Sequence, residues 1–164
     1  MKRIRQLLPF LLCFFLCACH TQPIRADHVL DALMAQCDDL PAGSVYRSGA
    51  EEGSEAYFSP SLLRALYGES AETAFSSVAD YAVYLSAHSY PAELAVFVCH
   101  SASDTDPITA LCLNRRDALQ VALRGTSWER DIESIFIVSQ GRFVVMGFAK
   151  NSEALQKEAL RLIG

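Results

Sequence analysis

"IESIFIVSQGRFVVMGFA", residues 132–149, holds two runs rich in β-branched and aromatic side chains, 132–139 and 142–149, around Gln140 and Gly141. Such runs fit the pleated surface of a strand, and the short gap fits a tight hairpin turn in which Gly141 takes positive φ. "VADYAVYLSA" (78–87) and "AELAVFVCH" (92–100) form a second pair across "HSYP". Between the pairs, "DPITALCLNRRDALQVAL" (106–123) reads as a helix with Asp106 at the N-cap and Pro107 at the first helical position. "NSEALQKEALRLI" (151–163) is an amphipathic helix capped by Asn151 or Ser152. The expected fold is α+β: a four-stranded antiparallel sheet in ββαββα order with the two helices packed on one face. "SIFIV" and "FVVMGF" are apolar on both sides of the strand, whereas a sheet with one wet face alternates. Something must therefore cover the other face: the N-terminal helices, an envelope protein partner, or a second copy.

Upstream, "DHVLDALMAQC" places Leu30, Leu33, Met34 and Cys37 on one stripe, a short helix with Asp27 as candidate cap. "LPAGSVYRSGAEEGSEA" (40–56) has three glycines and no period, so it reads as loop with at most one short extended piece. "SPSLLRALYG" starts a helix with Ser59 as cap and Pro60 at the first position, and stops it at Gly68.

The beginning of the chain carries an address. Lys2, Arg3 and Arg5 precede an apolar run from Leu7 to Ala18, the charged and apolar regions of a bacterial export signal. A membrane-spanning helix needs about 20 apolar residues, so the run is short for a permanent anchor. Ordinary cleavage before Cys19 would put Leu16 at −3, where a small residue is wanted. Leu16-Cys17-Ala18-Cys19 instead resembles the lipobox of bacterial lipoproteins. That resemblance implies a signal peptide over 1–18 and Cys19 as the acylated first residue of the mature chain. An uncleaved hook or a nearby cut is the alternative. Residues 19–26 then form a short tether, reaching at most about 3.3–3.6 Å per residue, before a single α+β domain over 27–164.

Removing residues 1–18 takes away three positive charges and no acid, leaving 11 Lys and Arg against 19 Asp and Glu, a formal charge of −8. A surface of that sign is repelled by phosphate backbones, which argues against nucleic-acid binding. The remaining cysteines, Cys37, Cys99 and Cys112, are odd in number. Cys99 and Cys112 could pair, or all three could be buried thiols. No zinc spacing occurs, and no cofactor motif is recognised.

From about Asp27 onward the chain resembles small bacterial lipoproteins grouped as domain-of-unknown-function family 4358. The resemblance rests on the lipobox, "LLRALYG", "AELAVFV" leading to a helix with "NRRDAL", and "FIVSQGRFVVMGFAKNSE". It implies a lipid-anchored protein on the outside of the cell membrane and supplies no catalytic residue.

Among candidate sites, Arg115 falls in the middle of an apolar arc formed by Ile108, Leu111, Cys112, Leu119 and Ala122. A charge there must escape to water, pair with an acid such as Glu93, or recognise a buried anion. Trp128 in "RGTSWERD" either seals the end of a core or offers a contact surface. Asp104 and Asp106 suit helix capping better than calcium, because Pro107 and Ile108 stand where further ligands would be needed. The reading is a non-enzymatic binding module whose contact surface is the sheet face away from the two late helices, or the Trp128 loop. The alternative is a cell-envelope hydrolase near His88, His100 and Arg115, although no GxSxG, SxxK or HExxH pattern occurs.

Overall fold

The computed structural model of the chain describes residues 24–87 and 91–164; Cys19, with the whole leader, and His88 lie outside the described residues. Helix α1 (Ala26–Met34) is followed by strand β1 (Gly43–Arg47), helices α2 (Pro60–Tyr67) and α3 (Ala71–Phe75), and strands β2 (Val78–Ser86) and β3 (Glu93–Cys99). Helix α4 (Thr105–Leu123), strands β4 (Phe136–Gln140) and β5 (Phe143–Phe148), and helix α5 (Ser152–Ile163) complete the chain. The strands form one antiparallel sheet in the spatial order β1-β2-β3-β5-β4.

The sheet has five strands, not the expected four, and the element order differs accordingly. The added strand is β1, the one short extended piece allowed for in the segment otherwise read as loop. Its five residues pair with β2 from Gly43 opposite Ser86 to Arg47 opposite Ala82. Only Val45 and Tyr46 pack on the cores, so its sequence has too few apolar positions to show a period.

A second correction concerns the helices. The two late helices do not share a face. Helices α1 and α5 cover one face, where Leu30, Leu33, Leu155 and Ala159 meet Leu94, Val96 and Val145. Helices α2, α3 and α4 cover the other, where Leu63, Tyr67, Ile108 and Cys112 meet Ala95, Phe97 and Met146. Every residue of β3 and β5 is buried. Two apolar faces each require a cover, and the chain supplies both from its own helices. The bare sheet face expected as a contact surface is therefore filled.

Several boundaries also shift. β4 begins at Phe136 rather than 132, because Asp131–Ser134 wind into a 3-10 turn. Gln140 pairs with Phe143, so the hairpin loop is Gly141–Arg142, with Gly141 at φ 56° as its glycine requires. Ser59 caps α2 as expected, accepting the Leu62 N–H at 3.2 Å. Asp106 is not a cap. Ser101 and Asp104 form a reciprocal capping box around the preceding 3-10 turn, and α4 continues from it. Asp27 lies inside the first turn of α1, and the Ala26 N–H is taken instead by Asp80 of β2 at 3.0 Å. A bulge at Ala79 makes that possible: Val78 faces one core, while Asp80, one register step on, faces α1 and also accepts the Ser48 hydroxyl.

Gly147 of β5 lies opposite both Leu94 and Phe136. A Cβ there would stand 2.3 Å from the Phe136 ring and 3.2 Å from Leu94. Gly147→Ala should therefore overpack this layer and lower stability by about 1–3 kcal/mol, read from the midpoint of urea unfolding. Gly147→Ala combined with Phe136→Leu should recover most of that loss. An unchanged midpoint for the single variant would mean that the ring is not held there.

Candidate functional site

The most unusual chemistry in the interior is built from three elements. Glu93 opens β3 on the same face as Ala95 and Phe97, and only 1% of it is exposed. Arg115 reaches it from α4: Nε and Nη2 donate to the same carboxylate oxygen at 2.9 and 2.7 Å. Tyr67, the last residue of α2, donates its hydroxyl to the other oxygen at 3.1 Å. An isolated buried carboxylate is prohibitively costly, but here both oxygens accept hydrogen bonds and one carries a guanidinium.

The helix period explains the meeting. Ile108, Leu111, Cys112 and Leu119 are buried on one stripe of α4, and Arg115 lies within it with 17% of its side chain exposed. Ala122, expected on the same arc, is exposed, and Leu123 takes the last buried position. Of the three sequence expectations for Arg115, the geometry is that of the pair with Glu93. Arg116 points away and pairs at the surface with Asp117.

Burial sets the protonation of the neighbours. It pushes the Tyr67 phenol well above its usual range, with the Glu93 charge adding to the effect, so this hydroxyl remains a donor. Burial likewise raises the Cys112 thiol, and takes Cys99 to about 11 with help from Asp104. Both cysteines are free and buried, as is fitting for small apolar side chains. Cys37 is half-buried; burial and the charge of Asp38 raise it, and its thiol lies 3.5 Å from the Leu33 carbonyl. None of these thiols is activated as a nucleophile.

The other candidates do not converge on Arg115. His100 is exposed just beyond β3, its N–H bonded to the Ser77 carbonyl at 2.9 Å. Trp128 is half-buried against the core beneath α4, in a loop closed by Gly125 N–H to Glu129 at 3.1 Å. It thus seals the end of that core while leaving part of its ring at the surface. Asp104 is tied to Ser101, and among the described residues no group of three or more His, Cys, Asp or Glu is placed to hold a metal.

Two clefts are notable, and neither contains Arg115 or His100. One of about 110 Å³ lies between Cys37–Pro41 and Ala149–Asn151, beside the ion pair of Lys150 with Asp39. The other, of about 470 Å³, follows the outer side of β4 between α4 and α5. Sequence reasoning missed this cleft, and also Tyr67 as a partner of Glu93. Tyr67 carried a signal, lying four residues after Leu63 on the apolar stripe of α2. The cleft carried none, because it depends on the two late helices lying on opposite faces. Among the described residues no helix is long and apolar enough to cross a membrane. Comparison with known proteins returns no matching family model, no matching curated protein and no matching solved structure.

Proposed function

We propose that the chain is an extracytoplasmic lipoprotein, held at the cell membrane by acyl chains on Cys19, that works as a non-enzymatic binding module. The anchoring half of this reading rests on Leu16-Cys17-Ala18-Cys19 and the basic, apolar leader before it. Likeness to the lipoproteins of family 4358 supports the same location. The binding half rests on one observation: the Arg115 guanidinium is engaged by a Glu93 that is 1% exposed, away from exposed His100. A hydrolase would need a nucleophile, a base and an orienting acid converging on one accessible point. A bound pair of acyl chains gives lasting membrane residence, because each buried CH₂ contributes about 0.8 kcal/mol.

Mass spectrometry of the mature amino terminus tests the anchor. Cys19 should carry a diacylglyceryl thioether at the mature amino terminus, and Cys19→Ser should lack that mass and retain residues 1–18. An unmodified Cys19 in a membrane-free chain would overturn the address. Photo-crosslinking of the membrane-held protein tests the module: an adduct with an envelope protein is expected. Hydrolysis of an envelope substrate, lost in His100→Ala, would favour the rival class instead.

A further inference from the structure

The two edges of the sheet are treated differently. At β1, the outer side is met by the following loop, where the Arg47 N–H donates to the Ala56 carbonyl at 3.0 Å. At β4, no backbone hydrogen bond reaches the outer side from any other described residue. "FIVSQ" contains none of the devices that blunt an edge: no charge, no proline and no bulge. Because Gln140 and Phe143 flank a two-residue turn, the ladder alternation directs the N–H and C=O of Ile137 and Ser139 outward.

That edge lies at the floor of the 470 Å³ cleft. Leu113 of α4, 37% exposed, forms one wall with the half-buried Ile135 and Ile137, while α5 forms the other. Its rim is acidic on balance. Arg116 is neutralised by Asp117, Glu153 is paired with Lys157 at the surface, and Glu133 has no ion pair among the described residues.

Resting on the binding-module reading, we propose that the outer edge of β4 is a strand-addition site for an extended peptide that alternates apolar residues with Lys or Arg. Main-chain hydrogen bonds to Ile137 and Ser139 hold the peptide, alternate apolar side chains enter the cleft against Leu113, and its cations face Glu133.

The test uses the full chain extracted from membranes in detergent. The probe is the heptapeptide Lys-Val-Lys-Val-Lys-Val-Lys, with Glu-Val-Glu-Val-Glu-Val-Glu as its control. The amide resonances of Ile137 and Ser139 should shift on titration, and the Lys peptide should bind at least about tenfold more tightly than the Glu peptide. Ser139→Pro removes an outward donor at a position where an edge strand tolerates proline, and should weaken binding by about tenfold or more. Glu133→Lys leaves the backbone alone and should reverse the preference between the peptides. Equal binding of the two, or shifts confined to other strands, would overturn the proposal. So would edge resonances that move with protein concentration alone, which would identify a second copy as the occupant. Failure here leaves the binding module standing if an envelope protein still crosslinks in membranes; absence of that adduct would be the separate failure of the module.

Discussion

Arg115→Ala should destabilise the domain by about 3–5 kcal/mol, the cost of leaving a buried carboxylate without its counter-ion. That is a large share of the roughly 5–15 kcal/mol that holds a domain folded. The melting temperature should fall by roughly 10 °C. Removing Arg115 strands Glu93, which is 1% exposed and among the described residues would retain only the Tyr67 hydroxyl at 3.1 Å. Replacing both charged partners, as in Arg115→Met with Glu93→Met, should recover most of the loss, because the pair itself contributes little net stability. Tyr67→Phe should cost only about 1 kcal/mol. Calorimetry on the four proteins would decide the matter. If Arg115→Ala melted like surface Arg116→Ala, the pair would not carry this load, and Arg115 would again be available to an outside anion.

Phe58→Ala should have an effect of comparable size, about 3–5 kcal/mol for a buried Phe. Phe58 lies in the loop ahead of α2, yet it is 6% exposed and stands at the centre of a ring cluster. Tyr46 stacks on it at 5.1 Å, while Tyr67, Phe75 and Tyr81 surround it at 6.4, 6.1 and 5.9 Å. One ring therefore joins β1, α2, α3 and β2. Its removal should shift the urea midpoint strongly and should also speed protease cleavage between residues 48 and 57, since the ring holds that loop down. A midpoint shift without faster cleavage would mean that Arg47 and Ala56 suffice to secure the loop.

The sequence revealed most where a pattern was local. β2, β3 and β5 combine dense β-branched and aromatic runs with short turns, and all three appear. Helix α2 carries its start and stop in Ser59, Pro60 and Gly68, and both hold. What escaped was set by distance. The Ala26 N–H is capped by Asp80, 54 residues away, so nothing beside α1 could announce it. β1 acquires its identity from pairing with β2, not from its own five residues. The apolar character of both faces of β3 and β5 was readable, and so was the need for two covers. Which helix goes to which face is decided by the path of the connections, which no periodicity encodes. At Arg115 the sequence posed the right problem, a charge on an apolar stripe, and even offered Glu93 as the answer. It could not supply Tyr67, which arrives from a different helix.

The attachment of α1 to Asp80 has a mechanical side. Any traction applied to the residues ahead of Ile24 enters the fold at Ala26, whose amide is gripped by the Asp80 carboxylate, itself steadied by Ser48. β2 is an inner strand, flanked by β1 and β3. The pull is thus delivered to an inner strand of the sheet instead of to a strand at its border.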